Sequence, residues 1–165
     1  HTSAEFVARH LMVTKVRGGF SSIEGTIQVG ENSADSIVDV IIDTASVSTG
    51  DPDRDGHIKS ADFFDVDKYP EMRFVSTAVR ADGSSWTLDG DLTIKGVAKP
   101  VNLAFEFVGL VTDPWGNQKA AFSAATTIDR EDWDLNWNVA LETGGVLVSK
   151  KITIEIEMQA VPANG

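Results

Sequence analysis

The stretch DPDRDGHIKSAD, residues 51 to 62, spaces its acidic side chains as a calcium loop does. Asp51, Asp53 and Asp55 fall at the first, third and fifth positions of an EF-hand loop. Gly56 stands at the sixth, where the chain must turn, and Ile58 is the apolar eighth. The chemistry would be oxygen coordination of a hard divalent cation. The surroundings fit it poorly: the twelfth position is Asp62 instead of a bidentate Glu, Lys59 stands where an oxygen or water is needed, and no second loop is present to pair with. The preceding VIIDTASVSTG reads as a strand running into a turn, so the first helix of an EF-hand is missing. The alternative is that Asp51, Asp53 and Asp55 cap a helix N-terminus and solvate a loop, because carboxylates are favoured beside the positive end of a helix.

Other chemistries find less support. With no cysteine and three histidines, thiol catalysis, thiolate metal sites and a histidine cluster are not expected. The chain carries no Gly-x-Ser-x-Gly, His-Glu-x-x-His, P-loop or Gly-x-Gly-x-x-Gly pattern. Glu131 and Asp132 are neighbours that an extended chain would point to opposite faces, so they cannot share a substrate. No enzyme, metal centre or cofactor is expected. A balance of 25 acidic against 14 basic residues, formal charge −11, repels phosphate backbones and argues against a nucleic-acid partner. No apolar run approaches the roughly 20 residues of a membrane helix, so the chain is expected to be soluble. A cytoplasmic location is favoured. Because the sequence opens abruptly at HTSAEFVARH, already in a strand-like pattern, an exported or periplasmic protein whose signal lies outside this chain is the alternative.

The elements that must position any site have a period of two. SIVDVIID sets Val38, Val40 and Ile42 on one face, VNLAFEF aligns Val101, Leu103, Phe105 and Phe107, WTLDGDLTI aligns Leu88, Gly90, Leu92 and Ile94, and KITIEIEM aligns Ile152, Ile154, Ile156 and Met158. AEFVARH, EGTIQVG, EMRFVSTAVR and KAAFSAATTID bring the count to eight strands, separated by turn chemistry at GEN, ADGS, KGVAKP and DPWGN. Short turns and no βαβ rhythm predict an all-β antiparallel sandwich or up-and-down barrel. One domain over 1–160 is expected, with 161–165 as a tail. Two stretches break the pattern: HLMVTKVRGGF (10–20), expected to make a helical turn ended by Gly18, and GHIKSADFFDVDKYP (56–70), expected to hold a short helix stopped before Pro70.

Four motifs in order carry a family resemblance. They are DPDRDGHIKSADFFDVDKYPEMRFVST, the opening HTSAEFVARHLMVTKVRGGF, the hairpin LDGDLTIKGVAKPV and the late DPWGNQKAAFSAATTIDREDWDL. Together they resemble the YceI-like, polyisoprenoid-binding family over nearly the whole chain. The resemblance implies an eight-stranded antiparallel lipocalin-like β-barrel, with one or two short helices at its mouth, whose interior holds an isoprenoid or similar alkyl chain. It also points to a homodimer.

An eight-stranded barrel has room for packed side chains or one slender ligand, and the fold alone does not decide. Inward positions mix small residues (Ala4, Ala8, Thr44, Ser76, Gly90, Ala124, Thr126) with Phe6, Phe74, Phe105 and Phe122, which either leaves a tunnel or interlocks across the barrel. Under the resemblance, the lipid-lining candidates are Phe6, Ala8, His10, Val38, Val40, Ile42, Phe63, Phe64, Phe74, Leu92, Ile94, Phe105, Phe122, Trp137, Ile152 and Ile154. Head-group candidates at the mouth are Arg17, Arg54, Asp55 and His57. His10 reads equally as a buried, hydrogen-bonded imidazole, Arg54 and Asp55 as surface charges, and Phe63 and Phe64 as a lid or as core plugs. Trp133, Leu135 and Trp137 share a face if extended, suiting a tunnel lining or a dimer surface. Trp115, between Pro114 and Gly116, is expected to fold back from its turn onto the barrel. The function expected is non-enzymatic carriage or sequestration of a polyprenyl or quinone-type lipid, against a packed barrel serving as a stress-related interaction or scaffold protein.

Overall fold

The computed structural model describes residues 3–10, 14–28, 35–82, 85–138 and 148–160. The alternating segments form strands β1 (Ser3–His10), β2 (Thr14–Phe20), β3 (Ile23–Gln28), β4 (Ile37–Asp43) and β5 (Val47–Ser48), then helix α1 (Pro52–Lys59). After it come β6 (Glu71–Asp82), β7 (Ser85–Ile94), β8 (Val97–Thr112), β9 (Gln118–Asp129) and β10 (Lys151–Ala160). All the described pairings are antiparallel, in the order β3-β4-β6-β7-β8-β9-β10-β1-β2-β5.

Ten strands where eight were expected is a difference of segmentation. β2 runs directly into β3 through Ser21 and Ser22, so the strand at one end of the order continues the strand beside the other end. The corner is held by Ser21 N–H to the Ser46 carbonyl (3.4 Å), Ser22 N–H to Ser46 Oγ (3.1 Å) and Asp43 N–H to the Ser22 carbonyl (2.9 Å). A 3-10 turn, Thr44–Ser46, likewise interrupts β4 and β5. Taken as one bent and one interrupted strand, these leave eight walls around a lumen.

Of the stretch 10–20 expected to hold a helical turn ended by Gly18, residues 14–20 are strand, and 11–13 lie outside the described residues. β2 pairs with β1 from Ala4↔Phe20 to His10↔Thr14, and the ladder overrides the local preference that Gly18 and Gly19 suggested. The glycine at 18 is needed for close approach: a Cβ there would stand 2.3 Å from Phe6 Cζ. Gly90 makes the same kind of room for Phe74, whose Cζ lies 2.4 Å from where its Cβ would be. The short helix starts earlier than GHIK implied. Asp51 is its N-cap, accepting from the amides of Asp53 and Arg54, Pro52 supplies its pre-set first turn, and it ends at Lys59.

Core residues come from the inward set of every long strand, including Ala4, Val38, Val40, Phe74, Leu88, Leu103, Ala124 and Ile156. Trp133, on a 3-10 turn after β9, is buried and donates its Nε1–H to the Leu92 carbonyl at 2.8 Å. Among the described residues no helix is long and apolar enough to cross a membrane.

Candidate functional site: an apolar cavity with one polar end

The lumen is not filled. A cavity of about 580 Å³ runs inside the wall, within the usual range for small-molecule sites. Period-two alternation explains its chemistry: each strand gives its apolar face to the inside, and small Ala4, Ala8, Ala124 and Thr126 stand among bulkier neighbours. Of the residues expected to line it, Phe6, Ala8, Val38, Val40, Ile42, Phe63, Phe64, Phe74, Leu92, Ile94, Trp137, Ile152 and Ile154 do so. Val16, Phe20, Ile58, Met72, Leu88, Val101, Leu103, Ile128, Ile156 and Met158 join them. The side chain of His10 lies outside the described residues.

Phe105 and Phe122 do not line the cavity. Their rings stack on each other (centroids 5.2 Å apart), Phe107 tilts against Phe122 at 5.5 Å, and Trp86 packs on the core at the same level of the wall. Register does not take them past the lumen: at the β8–β9 end Phe105 stands cross-strand from Ala124 and Phe122 from Met158, both on the lining, and the two rings pack on each other instead of facing the cavity.

The opposite end, where β6, β8 and β10 begin and β7 and β9 finish, is polar and layered. His57 of α1 stands edge-on to Trp137 (4.5 Å) and to Phe63 (5.2 Å), and Phe63 and Trp137 are 5.5 Å apart. His57 Nε2 meets Asp62 Oδ2 at 2.8 Å, which sets the imidazole's orientation. Phe64 points the other way, edge-on to Phe20 at 5.7 Å and packed on the core. The adjacent phenylalanines thus divide between mouth and core.

Arg54 and Asp55 are taken up by the chain itself. Arg54 donates from Nε to Thr49 Oγ1 (2.8 Å) and from Nη2 to the Thr49 carbonyl (3.0 Å); Asp55 Oδ1 accepts from the Thr49 amide (2.8 Å) and hydroxyl (2.6 Å). The Thr49 hydroxyl, ahead of its amide and the nearby Lys59 and Arg54, holds the Asp55 carboxyl below its ordinary value. Asp55 is not on the cavity lining, and neither is Arg17, exposed on the outer face of β2; Arg54 and His57 are. The calcium-loop expectation fails on geometry. Residues 52–59 are helical where an EF-hand needs an open loop, Asp51 caps, Asp55 binds Thr49 and Asp62 binds His57. Among the described residues no three acidic or histidine side chains gather as metal ligands.

The residue that sequence reasoning missed is Arg130. It lines the cavity, is 3% exposed, and donates to four backbone carbonyls: Ser149 from Nε (2.9 Å), Leu135 and Trp137 from Nη1 (the latter 3.0 Å), and Val148 from Nη2 (3.3 Å). Its guanidinium also lies 6.0 Å from the centre of the Phe63 ring. Burial pushes its pKa down, against the pull of nearby Glu131 and Asp129. The arginine clasps the two segments that carry Trp137 and Val148 and brings a cationic group to the cavity's polar end. The signal was there: Ala124, Thr126 and Ile128 face inward, and Arg130 follows in phase.

The tryptophan expectations separate too. Trp137 and Leu135 line the cavity, whereas Trp133 lies in the core and is unavailable as a dimer surface. Trp115 does not fold back: it is 84% exposed, at the tip of a hairpin that outruns the barrel.

Comparison with known proteins decides the family. The YceI-like domain model matches residues 1–160. The chain belongs to the YceI-like family. Among its relatives, the Protein YceI of an Escherichia coli strain is 40% identical over 136 residues, covering 82% of this chain and 71% of that one. The solved structure of the Campylobacter jejuni YceI protein superposes with a TM-score of 0.76 at 32% identity, covering 92% and 88% of the two chains. A polyisoprenoid binding domain from Saccharophagus degradans, implicated in plant cell wall breakdown, has the same fold at 14% identity (TM-score 0.66, covering 98% and 94%). The lipocalin-like YceI architecture expected from the four motifs is the one observed.

Proposed function

We propose that this chain is a non-enzymatic binder of a long isoprenoid, of polyprenyl or quinone type, which it holds inside the barrel for transport or storage. The observation that carries the reading is the apolar cavity of about 580 Å³ threading the lumen, with Arg54, His57 and Arg130 gathered at one end. Such a shape suits a slender hydrocarbon with one polar head. Each CH₂ moved from water to the lumen contributes about 0.8 kcal/mol, so length supplies affinity and little polar recognition is needed. Membership of the YceI-like family, and the polyisoprenoid binding named for the Saccharophagus domain, support the same class of ligand. In this reading the head lies by His57, Arg54 and Arg130, with Trp137 and Phe63 covering the first carbons. A packed scaffold barrel is disfavoured by the size of the cavity.

The test is mass spectrometry of the solvent extract from protein purified out of its own host, beside native spectra of the intact complex. A stoichiometric polyprenyl or quinone species is expected, and Ala124→Trp, which fills the lumen, should lose it at least tenfold. No lipid in the extract, together with failure to take up added isoprenoids, removes the carrier reading and leaves the scaffold one.

A further inference from the structure

Arg130 is the one charged side chain among the described residues that is buried, and it stands on the lining of the lumen. A guanidinium carries five N–H groups. Four go to the carbonyls of Ser149, Leu135, Trp137 and Val148, and no described group takes the second hydrogen of Nη2. The acids of its own turn are engaged elsewhere: Glu131 pairs with Lys150 (3.6 Å), and Asp129 Oδ1 accepts from the Glu131 amide (3.0 Å). Among the described residues no carboxylate forms an ion pair with Arg130. Carbonyl dipoles hold a cation in place without neutralising it, and a buried charge with no counter-charge is costly.

We infer that the ligand brings that counter-charge: the lumen binds a single-chain carboxylic acid, its hydrocarbon along the wall and its carboxylate on the remaining Nη2 hydrogen of Arg130. The inference rests on the lumen being a lipid site, as proposed above, and adds the chemistry of the head. Strand β9 supplies the track, since Ala124, Thr126 and Ile128 line the cavity and lead a chain to Arg130, the next residue in phase. Burial pushes the Arg130 pKa down, and an ionised head beside it opposes that push.

One negative charge fits better than several. Asp51 and Asp53, at the start of α1, line the cavity too, and a diphosphate would set its further charges against them in a protein of formal charge −11. A neutral quinone or alcohol would accept the remaining hydrogen and leave the cation unbalanced. Size agrees with a single chain. At about 30 Å³ for each carbon-sized group, the share of one molecule in liquid water, the 580 Å³ lumen takes about twenty groups. That is the bulk of palmitic or geranylgeranoic acid, so a straight fatty acid and an isoprenoid acid share the required chemistry.

The test is displacement of a neutral probe, N-phenyl-1-naphthylamine, from lipid-stripped protein near neutral pH. The competitors are palmitic acid, hexadecanol, geranylgeranoic acid, geranylgeraniol and geranylgeranyl diphosphate. Each acid should displace the probe at a concentration at least tenfold below that of its own alcohol, and the more effective acid names the hydrocarbon. The carboxyl of bound carboxyl-13C palmitate should titrate at or below about 4.3 by NMR, since Arg130 opposes the rise that burial alone would give. Arg130→Lys keeps the charge and should keep the preference, whereas Arg130→Gln should bring acid and alcohol within about twofold. An arginine that only clasps backbone would weaken every competitor alike in both variants. Equal displacement by acid and alcohol in the unaltered protein, a bound carboxyl titrating above about 6, or a diphosphate tighter than both acids would overturn the inference and leave the isoprenoid reading standing. A protein that takes up neither the probe nor any competitor would lose that reading as well.

Discussion

The two ends of the barrel are built differently. At the β8–β9 end, Phe105, Phe107 and Phe122 pack ring on ring with Trp86 at the same level, an end built by aromatic packing. At the other end the rings of Phe63 and Trp137 are interleaved with His57 and Arg130, and each polar group is tied to backbone or to a carboxylate. Aromatic packing alone can shut an end. An end that must admit and hold a polar group needs polar side chains, and taking them out of water requires partners for each.

Arg130→Met tests that difference most severely. It strands four carbonyl acceptors, and at about 1 kcal/mol for each lost bond the variant should lose about 3 kcal/mol or more in urea unfolding, with Arg130→Lys recovering less than half. A loss under about 0.5 kcal/mol would mean that the clasp does not hold the mouth. Phe122→Ala removes the ring that both Phe105 and Phe107 touch and should cost about 2 kcal/mol, without reducing the lipid content of purified protein. Phe63→Ala should cost about 1 kcal/mol, because the ring is only partly buried, yet release a bound alkyl probe several-fold faster in stopped flow. If Phe122→Ala speeds release more than Phe63→Ala does, entrance and closed end have been assigned the wrong way round.

The smallest effect is in acid. The Asp55 carboxyl is held below its ordinary value by Thr49, so it contributes stability that is present above the unfolded value of about 3.9 and is lost as pH falls through its lower folded value. The protection of the Thr49 amide against hydrogen exchange, relative to its intrinsic rate, should therefore fall below about pH 4. Asp39 and Asp89 on the outer wall shift the same way, through hydrogen bonds from Arg73 and Arg80, so Asp55→Asn is the variant that isolates the mouth. It should flatten the acid response there and leave the wall's unchanged.

Most of the wall was legible because a strand exposed on one side writes its orientation into every second residue. Val38, Val40 and Ile42, or Ile152 and Ile154, needed no partner strand to be placed inside. Phe105 and Phe122 share rungs with the lining residues Ala124 and Met158 yet stack on each other, because periodicity gives a side chain's face without saying which neighbouring ring it packs against. HLMVTKVRGGF was misread because glycines inside a strand look like a stop signal until the ring that fills their space, Phe6, comes across from β1. The phase of Arg130 is as readable as that of Ile128, but a cation on an inward face needs partners, here four backbone carbonyls, that only the fold brings to it.

By itself, then, the sequence determined the antiparallel all-β architecture, the apolar inner face, the family's motifs and the capping role of Asp51. These rest on period, turn chemistry and local hydrogen bonding, all short-range in the chain. Only the tertiary structure decided that the lumen stays open, that Arg54 and His57 gather with Arg130 at one end of it, and that β8 outruns its neighbour to leave Phe107–Val111 uncovered. Those properties depend on register and volume between strands far apart in sequence, and no single segment carries that information.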